Sequence, residues 1–291
     1  MKGLFLLSIS VFLFICGYSQ TKVIIVDGIT KDPLPYTTIQ SISKKEGFIT
    51  DENGFIVLNL SQTDTIHISY VGYKSINYLV GKITNDKIEL FKETGSTLPD
   101  VIIKKYTPIE KPFRLGFHKL KSSYKLKYGI SRNKDNIGHE ITTLVEFPNE
   151  NEKYKILKVI LPTNKIEKND PLRLHIYSIN DNGEPFEELL INDVIVNKGF
   201  NLFGNIEVDI SNQNIILNSK GVFVGIQKVG FFDKEQKNIT YLDFTEEINK
   251  DNTYVTNVRY VQKKWVKKGI FRLKNNFPSN LKVGLELQKM K

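Results

Sequence analysis

Residues 50–75 read TDENGFIVLNLSQTDTIHISYVGYKS, and this stretch decides the fold class. It opens on Asp51-Glu52-Asn53-Gly54 and closes on Tyr70-Val71-Gly72-Tyr73. Between them lie FIVLNL, a short run rich in apolar and β-branched residues, and DTIHISY, where apolar and polar residues alternate. Successive side chains of a strand point to opposite faces, so both runs read as half-buried strands. Asp and Asn accept local backbone hydrogen bonds and Gly54 tolerates positive φ, which makes Asp51–Gly54 a hairpin turn between EGFIT and FIVLNL. A calcium loop of the EF-hand kind starts similarly, but it needs a bidentate Glu at its twelfth position and a helix on each side. Gln62 stands at that position and strands flank the loop, so Asp51 and Asn53 are assigned to the turn and no metal is expected. Tyr70 and Tyr73 sit on either side of a glycine. One buried and one half-exposed ring at a bend is the reading preferred here, over an exposed aromatic platform for a sugar.

The same pattern runs outward from this stretch. KVIIVDG, DKIELF, YKILKVILP, LRLHIYSIN, GNIEVDIS, GVFVGIQ and TYVTNVRYVQKKW read as strands, separated by Gly, Asn, Asp and Pro. No window sustains a period of 3.6, and GEPFEELLIND is the one stretch read as a helical turn. The expectation is an all-β chain of two β-sandwich domains, with no solenoid-type repeat.

Residues 1–19, MKGLFLLSISVFLFICGYS, place one Lys before an apolar run and small residues at Gly17 and Ser19. This is expected to be a secretory signal peptide cleaved before Gln20. Cys16 is the single cysteine, and Ile15 before it departs from a lipoprotein signal, so the mature chain is expected to fold without disulfides. No other apolar run approaches membrane length, so no transmembrane span is expected in the mature chain.

Charge divides the remainder of the chain. The formal net charge is +9. Residues 21–105 balance their lysines against their acids, and the excess lies beyond them. Residues 104–127, KKYTPIEKPFRLGFHKLKSSYKLK, hold Glu110 as their lone acid and two prolines. Residues 105–127 are therefore expected to be a basic linker, between a domain at 20–104 and a second at 128–291. A second basic stretch, residues 252–285, has no acidic residue. Arg259, Lys263, Trp265 and Lys267 there are the candidate ligand-binding residues, since rings beside cations suit an anionic glycan or a lipopolysaccharide phosphate. The plainer reading of that stretch is an edge strand guarded by lysines. An exported chain is not expected to meet nucleic acid.

Catalytic signatures are thin. His139-Glu140 begins like a zincin motif, but Thr143 stands where the second histidine belongs. His67, His118, His139 and His175 lack metal-ligand spacing, and His67 and His175 read as satisfied strand residues. There is no Gly-x-Ser-x-Gly and no phosphate-cradling glycine loop. Glu187-Glu188 and Glu246-Glu247 are adjacent pairs expected on opposite faces of strands, in solvent.

VDGITKDPLPYTTIQ, GFITDENGFIVLNL, DTIHISYVGYKS and LPDVIIKK, in this order over residues 21–104, resemble the carboxypeptidase D regulatory-like domain. The features that carry it are Gly28, Asp32, Pro33-Leu34-Pro35, Thr38, Gly47, Thr50-Asp51, Gly54-Phe55, Ser69-Tyr70, Gly72-Tyr73-Lys74 and Leu98-Pro99-Asp100-Val101. The resemblance implies a seven-stranded, transthyretin-like Greek-key sandwich with a non-catalytic accessory role. It is similar to the extension ahead of the plug in outer-membrane TonB-dependent importers of Gram-negative bacteria. No plug sequence follows Val101, and a 22-stranded barrel does not fit the length, so the chain is not expected to be an importer. Arg173-Leu174-His175-Ile176-Tyr177, Asn182-Gly183-Glu184-Pro185, Glu207-Val208-Asp209-Ile210 and Val222-Phe223-Val224-Gly225 resemble a jelly-roll-like sandwich of exported bacterial proteins, with galactose-binding-type patterning.

The expectation for function is an exported, non-enzymatic binding or scaffolding protein of the bacterial outer envelope, in the periplasm or at the cell surface. Envelope proteins or an anionic glycan would be its partners, and no cofactor is expected. A glycan-binding accessory protein of a polysaccharide-uptake system is the alternative, and a hydrolase comes third.

Overall fold

The computed structural model describes residues 20–44, 46–93, 106–116, 127–128, 140–161, 163, 165–166, 170–197, 199–200, 205–229, 242–246, 253–256, 265–267 and 279–291. Side chains are described for all of these except residues 127–128, 242–246, 253–256, 266–267 and 279–280. The signal-like residues 1–19 lie outside the described set. No helix among the described residues is long and apolar enough to cross a membrane.

The chain is all-β. β1 (Thr21–Asp27), β2 (Thr38–Ser41), β3 (Gly47–Ile49), β4 (Phe55–Leu58), β5 (Thr65–Ser69), β6 (Ile76–Leu79) and β7 (Lys87–Leu90) build a first sandwich. Its sheets run β4-β1-β7 and β3-β2-β5-β6. Alternation does the work expected of it. Val23, Ile25, Ile56, Leu58, Ile88 and Leu90 of the first sheet meet Ile39, Ile66 and Ile68 of the second in one buried cluster. Each such side chain contributes roughly 1.5–3 kcal/mol on burial.

The turn at Asp51 is built as its residues require. Asp51 Oδ1 accepts the main-chain N–H groups of Asn53 and Phe55, both at 2.8 Å. Gly54 has φ +70°, and its N–H donates to Asp51 O. It is not a hairpin between paired strands, however. β3 pairs with β2, and β4 pairs with β1, so the turn carries the chain from one sheet to the other. It also caps the open edge of β4. Asp51 takes both the N–H and the C=O of Phe55, and Lys44 Nζ reaches Asn59 O at 3.4 Å. Such caps blunt an otherwise uncharged edge strand.

The second sandwich comprises β8 (Phe113–Gly116), β9 (Lys127–Tyr128), β10 (Glu140–Glu146), β11 (Lys153–Leu161), β12 (Lys165–Ile166), β13 (Leu172–Ile179), β14 (Pro185–Glu188), β15 (Val194–Val196), β16 (Gly199–Phe200), β17 (Ile206–Asp209), β18 (Ile216–Leu217), β19 (Gly221–Lys228), β20 (Leu242–Glu246), β21 (Thr253–Thr256), β22 (Val266–Lys267), β23 (Ser279–Leu281) and β24 (Gly284–Met290). A seven-stranded sheet has the order β14-β13-β19-β10-β21-β22, with β15 also on β13. A five-stranded sheet has the order β17-β11-β24-β8, with β18 also on β11. Leu174, Ile176, Val222, Val224 and Ile226 of the first share a core with Val159, Leu161, Leu285 and Leu287 of the second. Of the longest strands, β10, β13 and β19 lie in the first sheet and β11 and β24 in the second.

Two further expectations are corrected by the structure. GEPFEELLIND makes no helical turn; it supplies β14 and leads into β15. Within the stretch expected to be a linker at 105–127, the described residues 106–116 join the second sandwich. β8 pairs with the last strand, β24, and Pro108 bridges Met290. Arg114 on β8 meets Glu286 at 3.1 Å and Glu207 at 2.6 Å, and Lys158 joins the same two carboxylates. Among the described residues of this basic stretch, Arg114 is thus held in ion pairs with carboxylates of the five-stranded sheet. The described residues 106–116 thus pair with the second sandwich ahead of the start expected near Tyr128.

Candidate functional site

β13 reads Arg173-Leu174-His175-Ile176-Tyr177. Leu174 and Ile176 point into the sandwich core. By the same alternation Arg173, His175 and Tyr177 line the opposite face. That face is covered, since Arg173, His175 and Tyr177 are all nearly inaccessible. Polar groups buried in this way need partners, and each has them.

Arg173 is held by both sandwiches. Its guanidinium makes a bidentate pair with Asp193, Nε to Oδ1 at 2.8 Å and Nη2 to Oδ2 at 3.1 Å. Nη1 donates to Gln227 Oε1 at 3.0 Å, which fixes the orientation of that amide. Nη2 also donates to the carbonyl of Tyr36 in the first sandwich at 2.7 Å. Cζ lies 5.8 Å from the centre of the Tyr70 ring, again across the seam. Burial pushes the Tyr70 hydroxyl well above its usual range, and the neighbouring Asp193 adds to this. Apolar contacts continue the seam. Tyr36 and Ile49 pack with Ile195 and Val229, Val71 packs on the core of the second sandwich, and Gly72 lies against the Ile191 carbonyl.

His175 and Tyr177 extend the polar face away from the seam. His175 donates from Nδ1 to Glu188 Oε2 at 2.5 Å, and its Nε2 lies 3.4 Å from Gln227 Oε1 and 3.9 Å from Glu140 Oε2. Tyr177 stacks on the His175 ring and donates to Glu140 Oε1 at 2.7 Å. Tyr177 is on β13 and Glu140 on β10, so this bond passes over β19, which lies between them. Gly225 makes room for it, because a Cβ there would stand 2.6 Å from Glu140 Oε1. Burial drives the Tyr177 hydroxyl far above its ordinary range, and the Glu140 and Glu188 carboxylates reinforce the shift. Trp265 meets Tyr177 edge to face, with ring centres 5.4 Å apart.

Of the candidate ligand-binding residues, Trp265 is half-buried against Tyr177. Lys267 lies on β22, at the end of the seven-strand path, opposite Tyr254. Arg259 and Lys263 lie outside the described residues. Tyr70 and Tyr73 are both half-buried and edge to face at 5.3 Å, with Tyr70 turned into the seam rather than out to a ligand. Sequence reasoning missed Glu188 as a partner. It is expected in solvent beside Glu187, yet it accepts from His175 and from the main-chain N–H groups of Ile176 and Leu190. His175 is the satisfied strand histidine expected, and His67 likewise contacts Asn77 Oδ1 at 2.8 Å. The signal for the polar face is present in the sequence as Arg, His and Tyr at every second position.

Chemically, the arrangement locks rather than binds. The Arg173 donors are directed to protein acceptors within and across the sandwiches, and Glu188 is the member whose side chain retains appreciable exposure, at 23%. Among the described residues no group of three His, Cys, Asp or Glu side chains is set to hold a metal ion.

No family model, curated protein or solved structure gives a match to the chain. The class of the protein is thus the one its own geometry defines, an all-β chain whose two sandwiches are docked through a buried arginine.

Proposed function

We infer that this chain is an exported, non-enzymatic scaffolding or binding protein of the bacterial outer envelope. The observation that carries the reading is the Arg173 latch. It sets two sandwiches in one fixed relation, which is what a scaffold needs to present two surfaces at a constant spacing. The signal-like residues 1–19 and the resemblance of residues 21–104 to an envelope accessory domain support the compartment. The sheets of three and four strands in the first sandwich agree with the transthyretin-like form that the resemblance implies. The packing of a seven-stranded on a five-stranded sheet in the second supports a jelly-roll-like form. The chain acts in the periplasm or at the cell surface, with envelope proteins as partners. The test is cross-linking in the native host followed by purification of the tagged chain from the envelope fraction. Recovery of the chain alone, from the soluble fraction, would sink the scaffold reading.

A glycan-binding accessory role is the second reading, favoured by half-exposed Trp265 beside the basic stretch. Retention on an anionic polysaccharide at low salt, weakened by Trp265→Ala and by Lys263→Glu with Lys267→Glu, would establish it. Equal and negligible retention of all three proteins would remove it.

A further inference from the structure

The chain contains two Asn-Gly pairs, Asn53-Gly54 and Asn182-Gly183. They stand in the same five-residue turn, once in each sandwich. Asn180 Oδ1 accepts the N–H groups of Asn182 at 3.0 Å and Glu184 at 2.8 Å, as Asp51 Oδ1 accepts those of Asn53 and Phe55. Gly183 N–H donates to Asn180 O at 2.9 Å, and Gly54 N–H donates to Asp51 O at 3.1 Å. Gly183 has φ +77° and Gly54 φ +70°. Local sequence and local hydrogen bonding are thus nearly matched, and what differs is the packing around each turn.

We propose that Asn182 is a site of spontaneous deamidation, and that Asn53 is protected from the same reaction by the packing of Gly54. The chemistry needs only water and a solvent base. The main-chain nitrogen of Gly183 attacks Cγ of Asn182 and loses its proton to solvent. The N–Cγ bond forms, Nδ2 takes up a proton from solvent, the Cγ–Nδ2 bond breaks with its electron pair going to nitrogen, and ammonia leaves. Water then opens the resulting succinimide at either carbonyl, giving aspartate or isoaspartate. Glycine favours the attack because it carries no side chain to crowd the nitrogen.

The attack requires the turn to open, since the glycine nitrogen is engaged in its hydrogen bond. At Gly183 the surroundings are open. The residue is exposed, and a Cβ placed there meets nothing within 4 Å. At Gly54 the same opening must unpack the first sandwich. Gly54 is buried, a Cβ there would stand 2.7 Å from Ile25 O and 3.1 Å from Leu34 N, and its carbonyl accepts the Ile25 N–H at 2.9 Å. Local opening free energy therefore differs between the two sites, and so does the rate of any reaction that passes through the open turn.

The product changes the surface. A new carboxylate at 182 joins Asp181, Glu184 and Glu187 in a segment, 174–197, that has no Lys or Arg. Isoaspartate also lengthens the main chain by one carbon between the two donors that Asn180 Oδ1 holds. This inference stands apart from the scaffold reading, which neither supports it nor depends on it.

The test is peptide mapping by mass spectrometry of the full-length protein aged in mildly alkaline buffer, folded and in denaturant. In the folded protein Asn182 should convert about tenfold faster than Asn53, the ratio that roughly 1.4 kcal/mol of extra opening cost produces. In denaturant the two rates should converge, and Asn182→Gln should abolish conversion of its own peptide only. Equal folded rates, faster conversion at Asn53, or a ratio that persists in denaturant would each overturn the proposal. So would a folded chain in which neither site converts.

Discussion

Arg173 of the second sandwich donates from Nη2 to the main-chain carbonyl of Tyr36 in the first, at 2.7 Å. The same guanidinium is clamped by Asp193 and Gln227 on its own side, so it reaches the seam already oriented. Replacing it strands a buried carboxylate and a buried carbonyl together. Arg173→Ala should therefore cost about 3–5 kcal/mol, the usual penalty for removing one partner of a buried ion pair. Urea unfolding measures this. Adding Asp193→Ala to Arg173→Ala should return part of the loss, because the uncompensated charge disappears. A loss below about 1 kcal/mol would place Arg173 among surface ion pairs and remove the latch.

Arg114 makes a contrasting prediction. Its pairs with Glu207 and Glu286 lie on an exposed sheet face, with the arginine side chain 36% accessible. Arg114→Ala should cost no more than about 1 kcal/mol, and less in molar salt, where the screening length falls to about 3 Å. Limited trypsin digestion gives the complementary reading. The bond after Arg114 should resist cleavage until the sandwich unfolds, because β8 is paired to β24 along its length. Rapid cutting there in the native protein would restore the linker reading.

The two arginines also show what the sequence carries and what it withholds. The turns are legible because their chemistry is local. Asp51, Asn53 and Gly54 specify a turn whatever lies beyond them, and the structure builds it from those groups. Strand alternation is local as well, which is why the all-β class can be read directly. Alternation tells which residues share a face, but not whether that face meets water or a second layer. Arg173-Leu174-His175-Ile176-Tyr177 carries the pattern of a strand with one solvated side, and only the fold brings Asp193, Gln227, Glu188 and Tyr36 onto it. Arg114 is the inverse case. Its carboxylate partner Glu286 is 172 residues away, so a strand laced by long-range ion pairs looks like a charged linker.

Asp27 predicts a pH dependence. Tyr73 donates to its Oδ2 at 2.6 Å, and the N–H groups of Ile29 and Thr30 donate to Oδ1. The Tyr73 hydroxyl, then the Thr30 and Ile29 amides, hold the carboxyl down at about 2 from its ordinary 3.8. A carboxyl depressed in the folded state stabilises above its unfolded value and loses that contribution as pH falls through the folded one. The first sandwich should thus lose stability between about pH 4 and pH 2. Tyr73→Phe should shift the Asp27 titration upward and make the loss on acidification smaller. A carboxyl carbon resonance of Asp27 that titrates identically in both proteins would refute the coupling.

The two glycines of the matched turns give the last test. Gly54 and Gly183 share a left-handed backbone, at φ +70° and +77°. An alanine there pays roughly 1–2 kcal/mol for the left-handed conformation, offset by about 0.4–1 kcal/mol from the stiffer unfolded chain. At Gly183 nothing is added to that balance, since the space around it is open. Gly183→Ala should cost about 1 kcal/mol or less, and asparagine, which tolerates this conformation, should cost less still. At Gly54 the new methyl would meet a main-chain oxygen, Ile25 O, at 2.7 Å. That oxygen belongs to a buried strand and cannot swing aside as a side-chain terminus would. Gly54→Ala must therefore displace the turn from β1, breaking the Gly54 carbonyl's bond to Ile25 N–H and the cap on the edge of β4. A cost of about 3 kcal/mol is expected, in the range of overpacked cores. Thermal or urea unfolding of the two variants side by side measures the difference. Equal costs would mean that Gly54 is required for its backbone angle alone, and that the close packing of this turn on β1 contributes nothing to stability.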